Sequence, residues 1–226
     1  MPFKGVYLIG LTGNIGCGKS TVLSMLRELG AHVIDADQLT RELQQPGQPV
    51  YAQIVATFGE GILVAPGGPI DRRKLGTLVF SDPAALRRLE QIVHPAVHNQ
   101  ILAWLDEIAQ NEEQRTGSEA SAGADQRSSL LGPRTRVAVI DAIKLLEAGW
   151  KPICDAIWVV TCRPEQQIER LMATRGLSEE EARMRIVAQP PQAAKVAQAD
   201  VVIDNSGSLE ATRRQVEAAW SALPQR

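Results

Sequence analysis

Residues Gly13-Asn14-Ile15-Gly16-Cys17-Gly18-Lys19-Ser20 carry the most specific chemical signal in the chain. Their spacing fits G-x-x-x-x-G-K-[ST], a phosphate-binding loop that opens a helix. Each position has a chemical reason. A polyphosphate needs several N–H donors aimed at one point, and a glycine-rich turn lets the backbone curl around it. The helix behind the loop adds unpaired N–H groups and the positive end of its dipole. Lys19 is placed to reach the β and γ phosphates, and the Ser20 hydroxyl to ligate Mg²⁺. At ordinary residue frequencies a chain of this size matches the pattern by chance roughly once in a hundred. The expectation is ATP with Mg²⁺ as cofactor, bound on Gly13, Asn14, Ile15, Gly16, Cys17, Gly18, Lys19, Ser20 and Thr21. The glycine order does not fit G-x-G-x-x-G, which disfavours a dinucleotide site. Cys17 is open to two readings: a thiol acidified by Lys19 and the helix end, or a small residue of which only the backbone matters.

Carboxylates supply the second half of a phosphoryl transfer. Asp35-Ala36-Asp37 follows an apolar run, and alternate residues of an extended segment point to opposite sides. One of the two can face an acceptor hydroxyl and take its proton. Asp35 is the expected catalytic residue and Asp37 a secondary substrate contact, with helix capping near Gln38 as the alternative for Asp37. Asp141 ends the run Arg136-Val137-Ala138-Val139-Ile140 and is the second expected metal residue after Ser20. No Asn-Lys-x-Asp base-reading segment is present, which disfavours a GTPase switch.

These residues need elements to hold them. Short apolar runs at 6–11, 31–34, 137–140, 156–161 and 201–203 read as buried strands. Helical periods follow at 20–29, 164–174 and 209–220, with Gly30 after the first helix and Ser208 as N-cap of the last. Apolar strands alternating with helices predict an α/β fold: a three-layer, five-stranded parallel sheet with helices on both faces and ligands at the carboxyl ends of the strands. The expected core comprises 1–37 and 136–226. The proline-punctuated stretch of about 38–110 is too long for a plain crossover and is assigned to a helical substrate subdomain. Residues of about 111–135 are polar and poor in large apolar groups, and are expected to form a mobile surface loop. Ser178-Glu179-Glu180-Glu181 spells a capping box.

Composition sets the class. The 226 residues carry a formal charge of −2, which leaves no basic excess for a nucleic-acid partner. The apolar share of 44% suffices for a core, and no run approaches a membrane span. The N-terminal apolar stretch is too interrupted for a signal peptide. Three cysteines at 17, 154 and 162 match no zinc or redox spacing, so a cytoplasmic setting is expected.

Over nearly its whole length the chain resembles dephospho-coenzyme A kinases. The resemblance is carried by Gly10-Leu11-Thr12-Gly13, the phosphate loop, Val33-Ile34-Asp35-Ala36-Asp37, Asp71-Arg72 and Leu75, Leu89-Glu90 and His94-Pro95. It continues in Arg170-Leu171, Arg175, Arg185 and Gln189, and closes with Ala199-Asp200, Val202-Ile203-Asp204-Asn205 and Gly207. It implies transfer of a phosphoryl group from ATP to the 3′-hydroxyl of dephospho-CoA, in a core domain, a helical CoA-binding domain and a lid at about 170–190. Asp35 would activate the acceptor, and Arg72 and His94 would lie in the substrate region. Arg170, Arg175 and Arg185 would lie in or beside the lid, Arg175 catalytic and Arg185 toward substrate. Guanidinium groups there can neutralise the charge of the transferring oxygens when a lid closes. Structural alternatives stand beside these roles: a solvated helix face with Glu165 and Glu169 for Arg170 and Arg175, and a helix end before Pro95 for His94. The partners implied are ATP and dephospho-CoA, with no nucleic acid and no membrane, in a monomer or weak homo-oligomer. A kinase for another nucleoside, nucleotide or sugar acid is the nearest rival. An ATP-dependent binding module without acceptor is the rival from another class. The chain departs from the family pattern at Asn14, where glycine is usual. It departs again at Asp141-Ala142-Ile143-Lys144-Leu145-Leu146-Glu147, where the family has Asp-x-Pro-Leu-Leu-Phe-Glu, and in the length of 111–135.

Overall fold

The computed structural model describes residues 5–119 and 136–224. Five strands form one sheet: β1 (Val6–Thr12), β2 (His32–Asp35), β3 (Arg136–Asp141), β4 (Ala156–Thr161) and β5 (Val201–Asp204), in the order β2-β3-β1-β4-β5. β1 pairs in parallel with β3 and β4, and β4 in parallel with β5. The three central strands are buried along almost their full length, as continuous apolar runs require when both sheet faces are covered. The edge strands β2 and β5 are more exposed.

The chain forms two compact units, Met1–Ile34 with Leu105–Arg226, and Asp35–Trp104. In the first, helix α1 (Lys19–Glu28) buries Val22, Leu23, Met25 and Leu26 in the same core as Leu11, Val139 and Trp158. The second holds α2 (Ala36–Leu43), α3 (Pro49–Phe58), α4 (Arg72–Ser81) and the start of the long α5 (Pro83–Glu119). Each start has a sequence cause: Asp71 accepts from Arg73 N and Lys74 N to cap α4, and Pro49 occupies the first turn of α3. After β4 come α6 (Pro164–Arg175), α7 (Glu179–Val187), α8 (Gln192–Val196) and, beyond β5, α9 (Leu209–Ser221). Both halves of the Ser178–Glu181 capping box form, and Ser208 caps α9.

One alternative reading and one expectation differ from the structure. α5 does not stop at His94 but runs through Pro95, with both residues on its exposed side. Proline removes one backbone bond, but the helix keeps Val93, Val97 and Ile101 buried on one face, which outweighs it. α5 also takes in residues 111–119, which were expected to begin a polar loop; residues 120–135 of that loop lie outside the described residues. Polar composition does not forbid a helix that continues an already nucleated one. No described helix is long and apolar enough to cross a membrane.

Candidate active site

β1 ends at Thr12 and α1 begins at Lys19, so the intervening residues must reverse direction within a few bonds. Glycine makes this feasible at two positions. Gly16 has φ 77 and Gly18 φ 82, in the left-handed region that side chains rarely adopt. Space forbids a side chain too: a Cβ on Gly18 would run into the Asn205 amide, and one on Gly16 would lie 2.9 Å from the Gln167 carbonyl oxygen.

The carbonyls of Ile15, Gly16 and Cys17 are each held by a side chain from outside the loop. Gln167 Nε2 donates to Ile15 O at 2.8 Å. Arg170 Nη1 donates to Gly16 O and Cys17 O at 3.4 and 3.3 Å, while its Nη2 donates to Asn205 O at 2.8 Å. Asn205 Nδ2 donates to Cys17 O at 2.9 Å, and Asn205 itself is held by Thr212 Oγ1 at 2.9 Å. Of the loop amides, Ile15 N and Cys17 N have partners within the protein. The amides of Gly16, Gly18, Lys19 and Ser20 make no hydrogen bond to any described residue. Polar groups of this kind need an acceptor, and a phosphate supplies several. Lys19 Nζ rests against Gly13 O at 3.3 Å, at the mouth of the same turn. Ser20 is exposed in the first turn of α1.

The loop is also clamped by the α6–α7 hairpin and the segment after it. The Ile15 side chain packs with Leu171 and Ala182. Ile15 N donates to Gln189 Oε1 at 2.8 Å, and Asn14 Nδ2 donates to Pro190 O at 3.1 Å. Asn14 thus uses its side chain to tie the loop to this segment, a contact the glycine usual in the family could not make. Cys17 is fully buried; its thiol donates to Gln192 Oε1 and accepts from Gln167 Nε2, both at 3.3 Å. Its side chain is therefore part of the packing, against the expectation that only its backbone matters. A hydrogen bond from the Cys162 thiol lowers its pKa, Lys19 acts in the same direction, and burial opposes both. Sharing that bond, and burial, push the Cys162 thiol up. All three cysteines are free thiols, and burial drives Cys154 up to about 12.

Asp141 stands beside the root of the loop because β1 and β3 pair with Leu11 opposite Asp141. The turn after Asp141, where the chain departs from the family pattern, is tied to the end of β1. Ala142 N donates to Leu11 O at 3.2 Å, and Thr12 Oγ1 donates to Ile143 O at 3.1 Å. Lys195 Nζ donates to the same Ile143 carbonyl and to Thr12 Oγ1.

Among the remaining expected site residues, Asp35 is the last residue of β2 and caps α2, its Oδ1 accepting from Gln38 N at 2.8 Å. Capping thus falls to Asp35, not to Asp37 as the alternative had it, because α2 starts two residues before Gln38; Asp37 is half-buried in the first turn. Arg72 opens α4 and His94 lies in the first half of α5, both exposed. Arg175 ends α6 and Arg185 lies in the last turn of α7, both exposed. Arg170 is not a solvated helix residue; its guanidinium braces the carbonyls of Gly16 and Cys17 in the phosphate loop. Gln167, Gln192, Lys195 and Thr212 had no signal in the sequence, since each acts on a backbone or side-chain atom remote in sequence. Asn205 and Gln189 were flagged by the resemblance, without a role.

The family model for dephospho-CoA kinase matches residues 7–116 and 125–211. A dephospho-CoA kinase of Symbiobacterium thermophilum is 46% identical over 95% of this chain and 80% of its own length. One from Geobacter sulfurreducens is 44% identical over 95% and 97%. The crystal structure of TT1252 from Thermus thermophilus superposes with a TM-score of 0.71 at 32% identity, covering 98% of this chain and 100% of that one. With a phosphate loop that opens a helix, a five-stranded sheet behind it and this match along almost the whole sequence, the chain belongs to the dephospho-CoA kinase family.

Proposed function

We propose that this enzyme transfers the γ-phosphoryl group of ATP to the 3′-hydroxyl of dephospho-CoA, giving coenzyme A and ADP. The carrying observation is the set of amides at Gly16, Gly18, Lys19 and Ser20 without a partner among the described residues, in a loop whose Ile15, Gly16 and Cys17 carbonyls are held by side chains. Such a loop binds a polyphosphate tightly and at low reorganisation cost. Lys19 adds a positive charge where the γ-phosphoryl group departs, Arg175 is assigned to the charge on the transferring oxygens, and Arg185 to the substrate. The acceptor oxygen forms a bond to the γ phosphorus as the bond to the β–γ bridging oxygen breaks. The acceptor proton passes to the Asp35 carboxylate. The Oδ2 atom is assigned to this, because the helix cap occupies Oδ1. Asp37, Arg72 and His94 are assigned to the acceptor.

The oxygen donors beside the loop suit magnesium. Ser20 and Asp141 are too few to enclose a cation alone, and among the described residues no group of three or more acidic, histidine or cysteine side chains could do so. Magnesium keeps water and phosphate ligands and is content with one or two protein oxygens. When bound it would neutralise charge on the β and γ oxygens.

The test is an acceptor screen with ATP and Mg²⁺, scored for ADP and for a product heavier by one phosphate. Dephospho-CoA should give the highest kcat/KM, with the new phosphate on the 3′ oxygen. A nucleoside or sugar acid outperforming it would overturn the substrate, and ADP release indifferent to every acceptor would overturn the transfer.

A further inference from the structure

Lys195 lies on the short helix α8 and is 2% exposed, an ammonium group almost wholly removed from water. Burying such a charge costs several kcal/mol even after the protein relaxes around it. A methionine of similar length would fill the same volume without that cost. The charge is therefore a poor device for stability, and its partners indicate another use. Nζ donates to Thr12 Oγ1 at 3.3 Å and to Ile143 O, and the Glu147 carboxylate lies 3.9 Å away. Thr12 Oγ1 in turn donates to Ile143 O at 3.1 Å. Three elements meet in this knot: the last residue of β1, one step before Gly13; the segment two steps after Asp141; and α8. That segment lacks the proline that would fix its course, so hydrogen bonds must set its path.

The geometry points to Lys195 as a positioning residue for phosphoryl transfer: its buried ammonium ties the root of the phosphate loop to the turn after β3 and so holds the Asp141 carboxylate in register with the loop. The inference rests on Asp141 serving the magnesium bound with ATP. Lys195 touches neither nucleotide nor acceptor in this role; it acts through Thr12 and Asp141. Arginine cannot replace it freely, since its planar fork does not present three donors from one point.

The experiment measures calorimetric binding of a non-hydrolysable ATP analogue, with and without Mg²⁺, for the wild type, Lys195→Met, Thr12→Val and Asp141→Asn, beside kcat, KM and the melting temperature. Lys195→Met should bind the metal-free analogue within about twofold of wild type, lose most of the affinity gained with Mg²⁺, and drop kcat at least tenfold with the acceptor KM unchanged. Thr12→Val, which removes one oxygen at constant volume, should move the same quantities less. In the double variant of Lys195→Met with Asp141→Asn the effects should not add, because one acts through the other. Should Asp141→Asn abolish the magnesium-dependent gain while Lys195→Met and Thr12→Val retain it well below their melting temperatures, Lys195 is structural only and the proposal is overturned. Should Asp141→Asn leave that gain intact, the reading of Asp141 falls first and the proposal with it. If Lys195→Met does not fold, Thr12→Val decides the matter on the same readouts.

Discussion

The phosphate loop and the helical unit of Asp35–Trp104 are built on opposite plans. Around the loop, Gln167, Arg170 and Asn205 spend their polar atoms on backbone carbonyls, so the ligand meets main-chain amides whose directions are already set. In the helical unit the polar groups assigned to the acceptor are side chains on helices, Arg72 and His94 exposed and Asp37 half-buried. Arg72 and His94 make no side-chain hydrogen bond or ion pair with any described residue, while Asp71, Lys74 and Tyr51 hold the local turns together. A triphosphate is the same in every reaction and rewards a rigid, preorganised cup. An acceptor must be distinguished from its analogues, which side chains do by contacts that can be changed one at a time. Loop positions should therefore be costly and coupled to one another, and helical-unit positions cheap for stability and specific for the acceptor.

Replacing Lys19 by Met should test the contrast most severely. It removes a transition-state charge, and kcat should fall by about 10³-fold or more with the melting temperature nearly unchanged. Steady-state kinetics beside a thermal melt checks this, and a fall under tenfold would place the charge elsewhere. Asp35→Asn should cut kcat by roughly 10²- to 10⁴-fold while ATP affinity stays near wild type. Asparagine caps a helix as well as aspartate does, so α2 should be undisturbed and the loss attributable to the carboxylate. Asn205→Ala separates brace from cradle: the Cys17 carbonyl keeps only Arg170 and the Thr212 hydroxyl only Ser208 O, for about 1 kcal/mol of stability. It should also raise the KM for ATP, leaving the KM for dephospho-CoA alone, which a denaturant titration with kinetics would show. Arg72→Ala should have the mildest effect on the fold, within about 0.5 kcal/mol at its exposed position. It should raise the KM for dephospho-CoA several-fold while the KM for ATP holds. A rise in the ATP value instead would break the division of labour between the two regions.

The local elements were legible because their causes are local. Apolar runs defined the strands to within a residue or two, and Ser178, Ser208 and the glycines of the loop marked turns and caps that hydrogen bonds within three or four residues enforce. The loop's chemistry was legible for the same reason, since its ligands are consecutive amides. Errors arose where long-range packing overruled a local rule. Pro95 is a helix breaker by its ring and missing N–H, yet buried Val93, Val97 and Ile101 carry α5 past it.

Sequence alone determined that a polyphosphate cup opens the chain, that it sits between a buried strand and a helix, and which carboxylates end the neighbouring strands. Only the tertiary structure decided what holds that cup open. Arg170 braces the loop carbonyls from 153 residues away; Asn14 reaches a carbonyl 176 residues away; Lys195 closes a knot with Thr12 across 183 residues. Contacts of such separation leave no periodicity or spacing to read, because they are set by how the sheet and helices pack and not by the chain near each residue.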